Sequence, residues 1–382
     1  MRVLVYTDYK YRTDGDRVYA EKAFATFLVR VLEGMDGAVV AGRLNPKRGR
    51  SHYPLPPWIE FVPLPWYPAL SRPSAAIPAM ARSLRHFWRA LDRVDTAWLL
   101  GPYLLSIGFA LLAAIRRRRI LLGVRQDLPT YVRARHPGRR LFHAAGDLLD
   151  LIYRLMARRA ATIVVGPHLA ERYRHADRLL TLTVSLVREA DIAPPQAAER
   201  RRYDGEIRIL SVGRLEQEKN PLLLADVISR LHAQNERFRL VICGEGPLRE
   251  ALAERLRDLG VAGAAEFRGY VPWEDLMDVY RGSHVLLHVS WTEGLPQVLY
   301  EAFAARVPTV ATAVGGVPAA AEGCAELIPP GDADAAVKAV LRVVRQPELR
   351  KRLTDAAAER VRDRTVEAEA ARVRTFMDGG PP

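Results

Sequence analysis

Two glutamates, Glu293 and Glu301, lie in the stretch SWTEGLPQVLYEAFAARVPTVAT, Ser290–Thr312, with seven residues between them. Gly294, Leu295 and Pro296 follow the first acid and read as a helix start, with Pro296 in the first helical position. Val298, Leu299, Ala302 and Phe303 then form an apolar stripe at helical spacing. A helix N-terminus offers unpaired N–H groups and the positive end of the dipole, which suits phosphate. Glu293 falls just before that end, and Glu301 about 7–8 Å along the axis at 1.5 Å per residue. A diphosphate there would have an acid on either side. Each carboxylate could accept two hydrogen bonds from a vicinal diol, a ribose at one end and a sugar at the other. The competing reading is two solvent-facing glutamates.

Other residues are spaced to serve the same phosphates. SVGRLEQEKN places Gly213 at a strand end, with Arg214 and Lys219 five residues apart beyond it. Two cations there can grip a diphosphate and stabilise it as a leaving group. Gly244 and Gly246, in GEGPL, form a tight turn that lets backbone approach a ligand. Gly315 and Gly316 offer amides near the same phosphate. Asp14-Gly15-Asp16 and Asp332-Ala333-Asp334 have a D-x-D form, but neither adjoins a further acid or histidine, so no metal site is expected. His284 and His288 lie four apart on a strand-like run, which suits a core or loop role. Cys243 and Cys324 form no CxxC or Cys/His pattern, and Cys243 reads as a small hydrophobe.

The elements that must hold these residues alternate. RVLVYT (Arg2–Thr7) reads as a buried strand, followed by a polar loop with Gly15 and a helix over Val18–Gly34. Strand-like runs recur at GAVVAG, AWLL, ILLGV and TIVVG, with helical stretches between them. The pattern breaks in the charged, proline-bearing segment Val187–Glu206 and restarts at IRILSVG. There Asn220 reads as a helix N-cap and Pro221 as the first helical residue. Uninterrupted apolar strands between helices imply parallel sheets covered on both faces. The expectation is therefore α/β: two Rossmann-like, doubly wound domains facing a central cleft. The N-terminal domain would span 1–188, with 361–382 packing back on it as a returning helix. Residues 189–206 would be a linker and 207–360 the second domain.

Charge is lopsided. Residues 1–200 hold 32 Lys+Arg against 17 Asp+Glu, while the remaining residues hold 25 against 27. The excess belongs wholly to the first half and points to an anionic partner. No aromatic–basic nucleic-acid module is present, so nucleic acid is not expected. MRVLVYTDYKY reads as a strand rather than a secretory leader. Trp98–Ile115, followed by four arginines, imitates a membrane span, but Gly101-Pro102 favours a strand, a turn and a helix. In Ala81–Val94, Leu84, Phe87, Trp88 and Leu91 form a stripe between arginines. That helix either lies in a membrane interface or packs on the first sheet. The runs around Arg133–Arg140 and Arg154–Arg159 add to the basic face.

Residues 207–331 resemble the donor-binding domain of the family-4 glycosyltransferases, retaining enzymes of the GT-B fold. The resemblance is carried by VGRLEQEKN, GEGP, FRGYV and the E-x7-E pair Glu293/Glu301 within SWTEGLPQVLYEAFAARVPTVATAVGG. It implies that Glu301 holds the ribose, Glu293 a donor-sugar hydroxyl, and Arg214 and Lys219 the diphosphate. The loop Gly269–Val271, with Tyr270, would line the base. The family works without a metal, and the departing phosphate is thought to help deprotonate the acceptor. The first half departs from the family pattern. Where members commonly have a Gly-Gly loop after the first strand, only Gly15 is found, and where many carry a histidine after ILLGV, this chain has Arg125-Gln126-Asp127. Gln126 or Asp127 could serve the sugar or the acceptor, with Gly15 and Arg125 on the acceptor side.

The expected activity is transfer of a sugar from a nucleotide-diphosphate-sugar donor to a hydroxyl acceptor, a lipid-linked or cell-envelope glycan precursor. It would proceed with retention and without a cofactor, in the cytoplasm or at the cytoplasmic face of an anionic membrane. A reading of another class is a non-catalytic, membrane-associated protein that binds the nucleotide-sugar.

Overall fold

The computed structural model describes residues 1–382 apart from Ala23, His52, Ser71, Pro137, Val184, Glu236, Leu295 and Pro382, and apart from the side chains of Ala134 and Arg135. The chain divides into two units, Met1–Thr183 with Ala370–Pro382, and Val184–Glu369.

In the first unit the strands are β1 (Arg2–Asp14), β2 (Arg17–Ala20), β3 (Gly37–Leu44), β4 (Tyr53–Pro54), β5 (Ile59–Leu64), β6 (Thr96–Gly101), β7 (Arg119–Val124), β8 (Ala161–Val165) and β9 (Arg178–Leu182). Its helices are α1 (Phe24–Leu32), α2 (Pro73–Ala90), α3 (Leu104–Ile115), α4 (Leu128–Arg135), α5 (Arg140–Ala157) and α6 (Pro167–Arg172). A parallel sheet runs β5-β3-β1-β6-β7-β8-β9. The antiparallel strands β2 and β4 flank the outer half of β1. The first strand is longer than RVLVYT and turns back on itself. Asp14 pairs with Arg17 across a two-residue turn, in which Gly15 has a φ of 57° that glycine adopts without cost. Gly15 is therefore a hairpin tip and not a loop leading into a helix. The expected helix from Val18 begins at Phe24, because Val18 and Tyr19 pair across the hairpin instead.

Right-handed crossovers place α3 and α5 on one face of this sheet. Under them lies a core of apolar and aromatic side chains. Phe87 of α2 stacks on Phe109 of α3 at 3.9 Å, and Tyr6 of β1 meets Phe109 edge-on at 4.7 Å. The stripe of α2 is thus a core stripe: Phe87 and Leu91 are fully buried, and Trp88 lies under the Arg116 guanidinium at 3.9 Å. Packing on the sheet is the reading that holds for this helix. Trp98–Ile115 resolves into β6, a turn and α3, and among the described residues no helix is long and apolar enough to cross a membrane.

The second unit holds β10 (Ile207–Val212), β11 (Phe238–Cys243), β12 (Ala265–Gly269), β13 (Val285–His288), β14 (Thr309–Thr312) and β15 (Glu326–Ile328). Its helices are α7 (Pro195–Glu199), α8 (Leu222–Gln234), α9 (Arg249–Asp258), α10 (Trp273–Arg281), α11 (Gln297–Ala304), α12 (Val317–Ala321), α13 (Ala333–Arg345) and α14 (Pro347–Arg362). The sheet is parallel, in the order β12-β11-β10-β13-β14-β15. The segment 189–206, read as a linker, is docked on this unit. Ala193 N donates to Ala304 O at 2.7 Å, Arg201 Nη1 to Arg306 O at 2.6 Å, and the Tyr203 hydroxyl to His284 O at 2.9 Å. The unit boundary accordingly falls at 183/184.

The last helix is α15 (Val366–Met377); residues 370–382 belong to the first unit, whereas 361–369, expected to go with them, belong to the second. Three arginines hold the end of α15 through carbonyls. Arg119 donates to Met377 O at 2.7 Å, Arg178 to Phe376 O at 3.2 Å, and Arg374 to Arg30 O at 2.8 Å. Part of the first half's excess arginine therefore has a structural task.

Phe109 joins the sheet, α2 and α3 in one contact. Phe109→Ala is expected to cost about 3–5 kcal/mol, read as a lowered denaturation midpoint at unchanged slope. A loss below about 1 kcal/mol would show that this core repacks freely.

Candidate functional site

In the second unit the chain passes from β10 outward to β11 and β12, then returns to lay β13 on the opposite side of β10. The winding reverses between β10 and β13. Loops leaving the carboxyl ends of such a strand pair splay to opposite faces and leave a crevice between them. The loop after β10 carries Gly213, Arg214 and Lys219; the loop after β13 carries Ser290, Glu293 and Gly294.

The two loops are tied together. Trp291 N donates to Glu218 O at 2.8 Å. Lys219 Nζ reaches Glu293 Oε1 at 2.5 Å, and the Ser290 hydroxyl donates to the same oxygen at 2.7 Å. His288 Nε2 stands 3.1 Å from it, at an angle that makes no aligned hydrogen bond, with the imidazole 6% exposed. Burial alone would raise the Glu293 carboxyl, but His288 and Lys219 hold it down at about 2. Glu293 is thus an ionised acceptor with a cation beside it. His288, expected to be a core or loop residue, is buried yet belongs to this cluster. No spacing rule gives that away, because the contact depends on how the chain turns after β13.

The glycines explain how close the backbones come. A Cβ on Gly315, where φ is 52°, would lie 1.9 Å from Glu293 O, and Gly316 N donates to that oxygen at 3.2 Å. A Cβ on Gly244 would lie 1.9 Å from Gly213 O. Gly213 N bonds Cys243 O, and Gly244 N bonds Gly269 O. The strand ends therefore step down as one backbone-lined ledge. A Cβ on Gly246 would lie 2.5 Å from Leu215 O on the same ledge. Tyr270 beyond it is 60% exposed, and Val271 is partly buried against the core.

Helix α11 begins at Gln297, so Pro296 stands one residue before it. Leu295 lies outside the described residues. Glu301 is buried, with the Tyr280 hydroxyl donating to its Oε2 at 2.7 Å. Burial raises its carboxyl to about 7 against that hydrogen bond. The two glutamates thus differ: one is held ionised, the other sits near the neutral form. Arg214 is not gathered with Lys219; it pairs with Glu216 and, at 3.0 Å, with Glu218 on its own loop. Asn220 is not the cap of α8. It takes a left-handed conformation, φ 50°, closing the short 3-10 turn Gln217–Lys219 that aims Lys219.

In the first unit Arg125 stacks 3.6 Å above the Phe24 ring, where burial pulls its guanidinium down to about 10. Gln126 is exposed. Asp127 caps α4 by accepting from Thr130 N at 3.2 Å, and meets His168 Nε2 at 2.7 Å. His168 follows β8, the neighbour of β7. An imidazole thus stands beside the end of ILLGV after all, supplied by the next strand and 41 residues away. A second group went unread in the sequence. Asp8 accepts from Arg43, from the Tyr67 hydroxyl at 3.0 Å and from the Tyr6 hydroxyl at 3.2 Å, and burial raises its carboxyl. The D-x-D acids have local partners: Asp14 pairs with Arg50, Asp332 caps α13, and Asp334 pairs with Arg230.

Residues 194–360 match the family model described as "Glycosyl transferases group 1". Over 100 residues the chain is 35% identical to the GalNAc-alpha-(1->4)-GalNAc-alpha-(1->3)-diNAcBac-PP-undecaprenol alpha-1,4-N-acetyl-D-galactosaminyltransferase of Campylobacter jejuni, covering 26% of this chain and 27% of that one. Over 170 residues it is 32% identical to the D-inositol 3-phosphate glycosyltransferase of Frankia alni, 41% of each chain. The chain spans about a quarter to two fifths of the length of these relatives. Two crystal structures match nearly end to end. One is Anabaena HepE in complex with UDP, at TM-score 0.72 and 15% identity, over 99% of this chain and 100% of that one. The other is WaaG, a glycosyltransferase involved in lipopolysaccharide biosynthesis, at 0.68 and 14%, over 99% and 100%. The fold is that of the GT-B glycosyltransferases.

The Glu301 carboxyl gives a signed prediction. Its folded value of about 7 lies above that of a free glutamate. The wild type therefore loses stability as pH rises through roughly 4.5 to 7, by at most about 3 kcal/mol. Glu301→Gln, which cannot ionise, is expected to match the wild type at pH 5 and exceed it at pH 8 in urea unfolding. Parallel pH profiles for the two proteins would refute the assignment.

Proposed function

We propose that this chain is a retaining, metal-independent glycosyltransferase. It moves a sugar from a nucleotide-diphosphate-sugar to a hydroxyl of a lipid-linked or cell-envelope glycan precursor. The observation that carries this reading is the convergence of Lys219, Glu293, Ser290 and His288 at the winding reversal of the second sheet, beside a ledge of glycine backbone. The matched relatives bear transferase names, which favours chemistry over a binding-only role. One of them names a PP-undecaprenol substrate, which supports a lipid-linked acceptor.

In this reading the donor diphosphate lies on the glycine ledge and at the start of α11, where N–H groups and the dipole face it. Lys219 leaves its partner Glu293 for the phosphate. Glu293, ionised and released, accepts from a donor-sugar hydroxyl. Glu301 takes the ribose hydroxyls, shedding its proton as they bind. Arg214 would need to leave Glu216 and Glu218 to reach the phosphates. The Gly269–Val271 loop lines the base. The C1–O bond to the diphosphate breaks while the acceptor oxygen bonds C1 on the same face. The acceptor's proton passes to the departing phosphate oxygen, whose charge Lys219 and the backbone amides stabilise. Cationic side chains and a helix end supply the charge complement, so the step calls for no cofactor. On the acceptor side, Asp127 holds His168 for an acceptor hydroxyl, with Arg125 and Gln126 immediately before Asp127 in the chain. The protein would work in the cytoplasm, attached peripherally to the membrane that holds its acceptor.

A thermal-shift series with UDP, GDP and their sugars tests the donor site, because a ligand at a hundred times its Kd adds about 2.7 kcal/mol to native stability. A clear rise with one nucleoside diphosphate is expected. Lys219→Ala should weaken that binding and lower kcat at least about a hundredfold. No shift with any nucleotide, in a protein that melts cooperatively, would end the proposal.

His168→Ala should lower turnover with donor affinity unchanged, while Asp127→Asn should move the pH profile of kcat. Identical profiles would confine the Asp127–His168 pair to capping α4.

A further inference from the structure

Helix α5 carries large apolar side chains on its outer face as well as on the face it buries. Its inward residues include Gly146, Asp150, Tyr153 and Ala157. Asp150 is 1% exposed, and it is bound by Arg154, Arg172 and the Tyr173 hydroxyl. Tyr153 is fully buried and Leu149 and Met156 pack on the core, yet further large apolar side chains point outward. Leu141 is 85% exposed, Leu148 58%, Leu151 43% and Leu155 48%. These positions, with Ala144 and Ala145 between the first two, recur three and four apart and draw one stripe down the helix. Solvent-facing leucines at a single position are ordinary, but a ladder of them is a contact surface. Helix α3, on the same sheet face, repeats the arrangement with exposed Leu104, Leu111 and Ile115.

Both ends of the α5 ladder and the C-terminal end of the α3 ladder are basic. Arg139 and Arg140 open α5, Arg158 and Arg159 close it, and Arg117 and Arg118 follow α3, between Arg116, which pairs with Asp92, and Arg119, which is engaged with Met377 O. Both acids of α5 are engaged: Asp147 pairs with Arg133 at 2.7 Å, and Asp150 is buried under its arginines. An apolar stripe without unpaired acids and with arginines at its ends matches one environment, an anionic lipid surface. Apolar chains there receive the leucines and acidic headgroups meet the guanidinium groups. We propose that α5, with α3 beside it, is the membrane-docking face of the first unit, lying flat on an anionic leaflet. This surface gives the lipid-linked acceptor of the proposed function its place of delivery, and it rests on that reading only for its purpose. The α2 stripe, whose Phe87 and Leu91 are in the core and whose Trp88 is covered by Arg116, is not the docking element.

Co-sedimentation of the full chain with phosphatidylglycerol-rich vesicles, against phosphatidylcholine vesicles, tests it. Pelleting with the anionic vesicles alone is expected, weakening as salt rises. The combined variant Leu148→Glu, Leu151→Glu, Leu155→Glu should reduce it at least about tenfold. Should that variant misfold, Leu141→Glu alters a nearly free side chain and should still weaken binding measurably. Overturning results are a wild type that stays in the supernatant, vesicle binding indifferent to the leucine changes, or a dimer that Leu141→Glu makes monomeric while no vesicle is bound. Nucleotide thermal shifts on the same samples separate the two readings: a lost shift with intact vesicle binding sinks only the donor assignment.

Discussion

The second unit depends on one contact between two loops, the Lys219–Glu293 ion pair at the point where the sheet's winding reverses. A parallel sheet can bring two loops together there only by letting one leave toward each face. The pair closes that gap. It is reinforced by the Trp291-to-Glu218 backbone bond and by Ser290 on the same carboxylate. In the proposed function a lysine and a glutamate satisfied by each other would exchange partners, a diphosphate competing for the lysine and a hydroxyl for the carboxylate. The contact is a structural clasp and, on that proposal, a preformed pair of ligand contacts.

Around it the backbone, not side chains, sets the shape. Gly244 and Gly315 sit where an added Cβ would strike a neighbouring carbonyl. Polar backbone is thereby left facing the space where phosphate oxygens would be received. The two glutamates of the motif are tuned oppositely by their surroundings. The neighbouring His288 and Lys219 side chains outweigh burial at Glu293, whereas burial prevails at Glu301, so identical side chains eight positions apart present different protonation near neutrality.

The first unit spends its arginines in two ways. Some are internal fasteners: Arg119, Arg178 and Arg374 grip carbonyls that seat the C-terminal helix, and Arg172 holds the buried Asp150. Others stand at the ends of outward-facing leucine ladders. Net charge alone joins these populations, and only burial and partners tell them apart.

The sequence by itself determined the two doubly wound halves, because uninterrupted apolar strands alternating with helices admit few other packings. It also marked Glu293, Glu301, Lys219 and the glycine turns, whose spacing along one loop or helix is local. Tertiary structure decided what distant residues do. His288 meets Glu293 through the turn after β13, His168 meets Asp127 across adjacent strands, and Asp8 meets Arg43 and Tyr67 across the first sheet. It turned Val18–Ala20 into a hairpin strand and docked the expected linker. It also decided that α5, unlike the aromatic stripe of α2, leaves a leucine stripe exposed on its outer face, since a helical stripe has a period but no label for the face that meets the core.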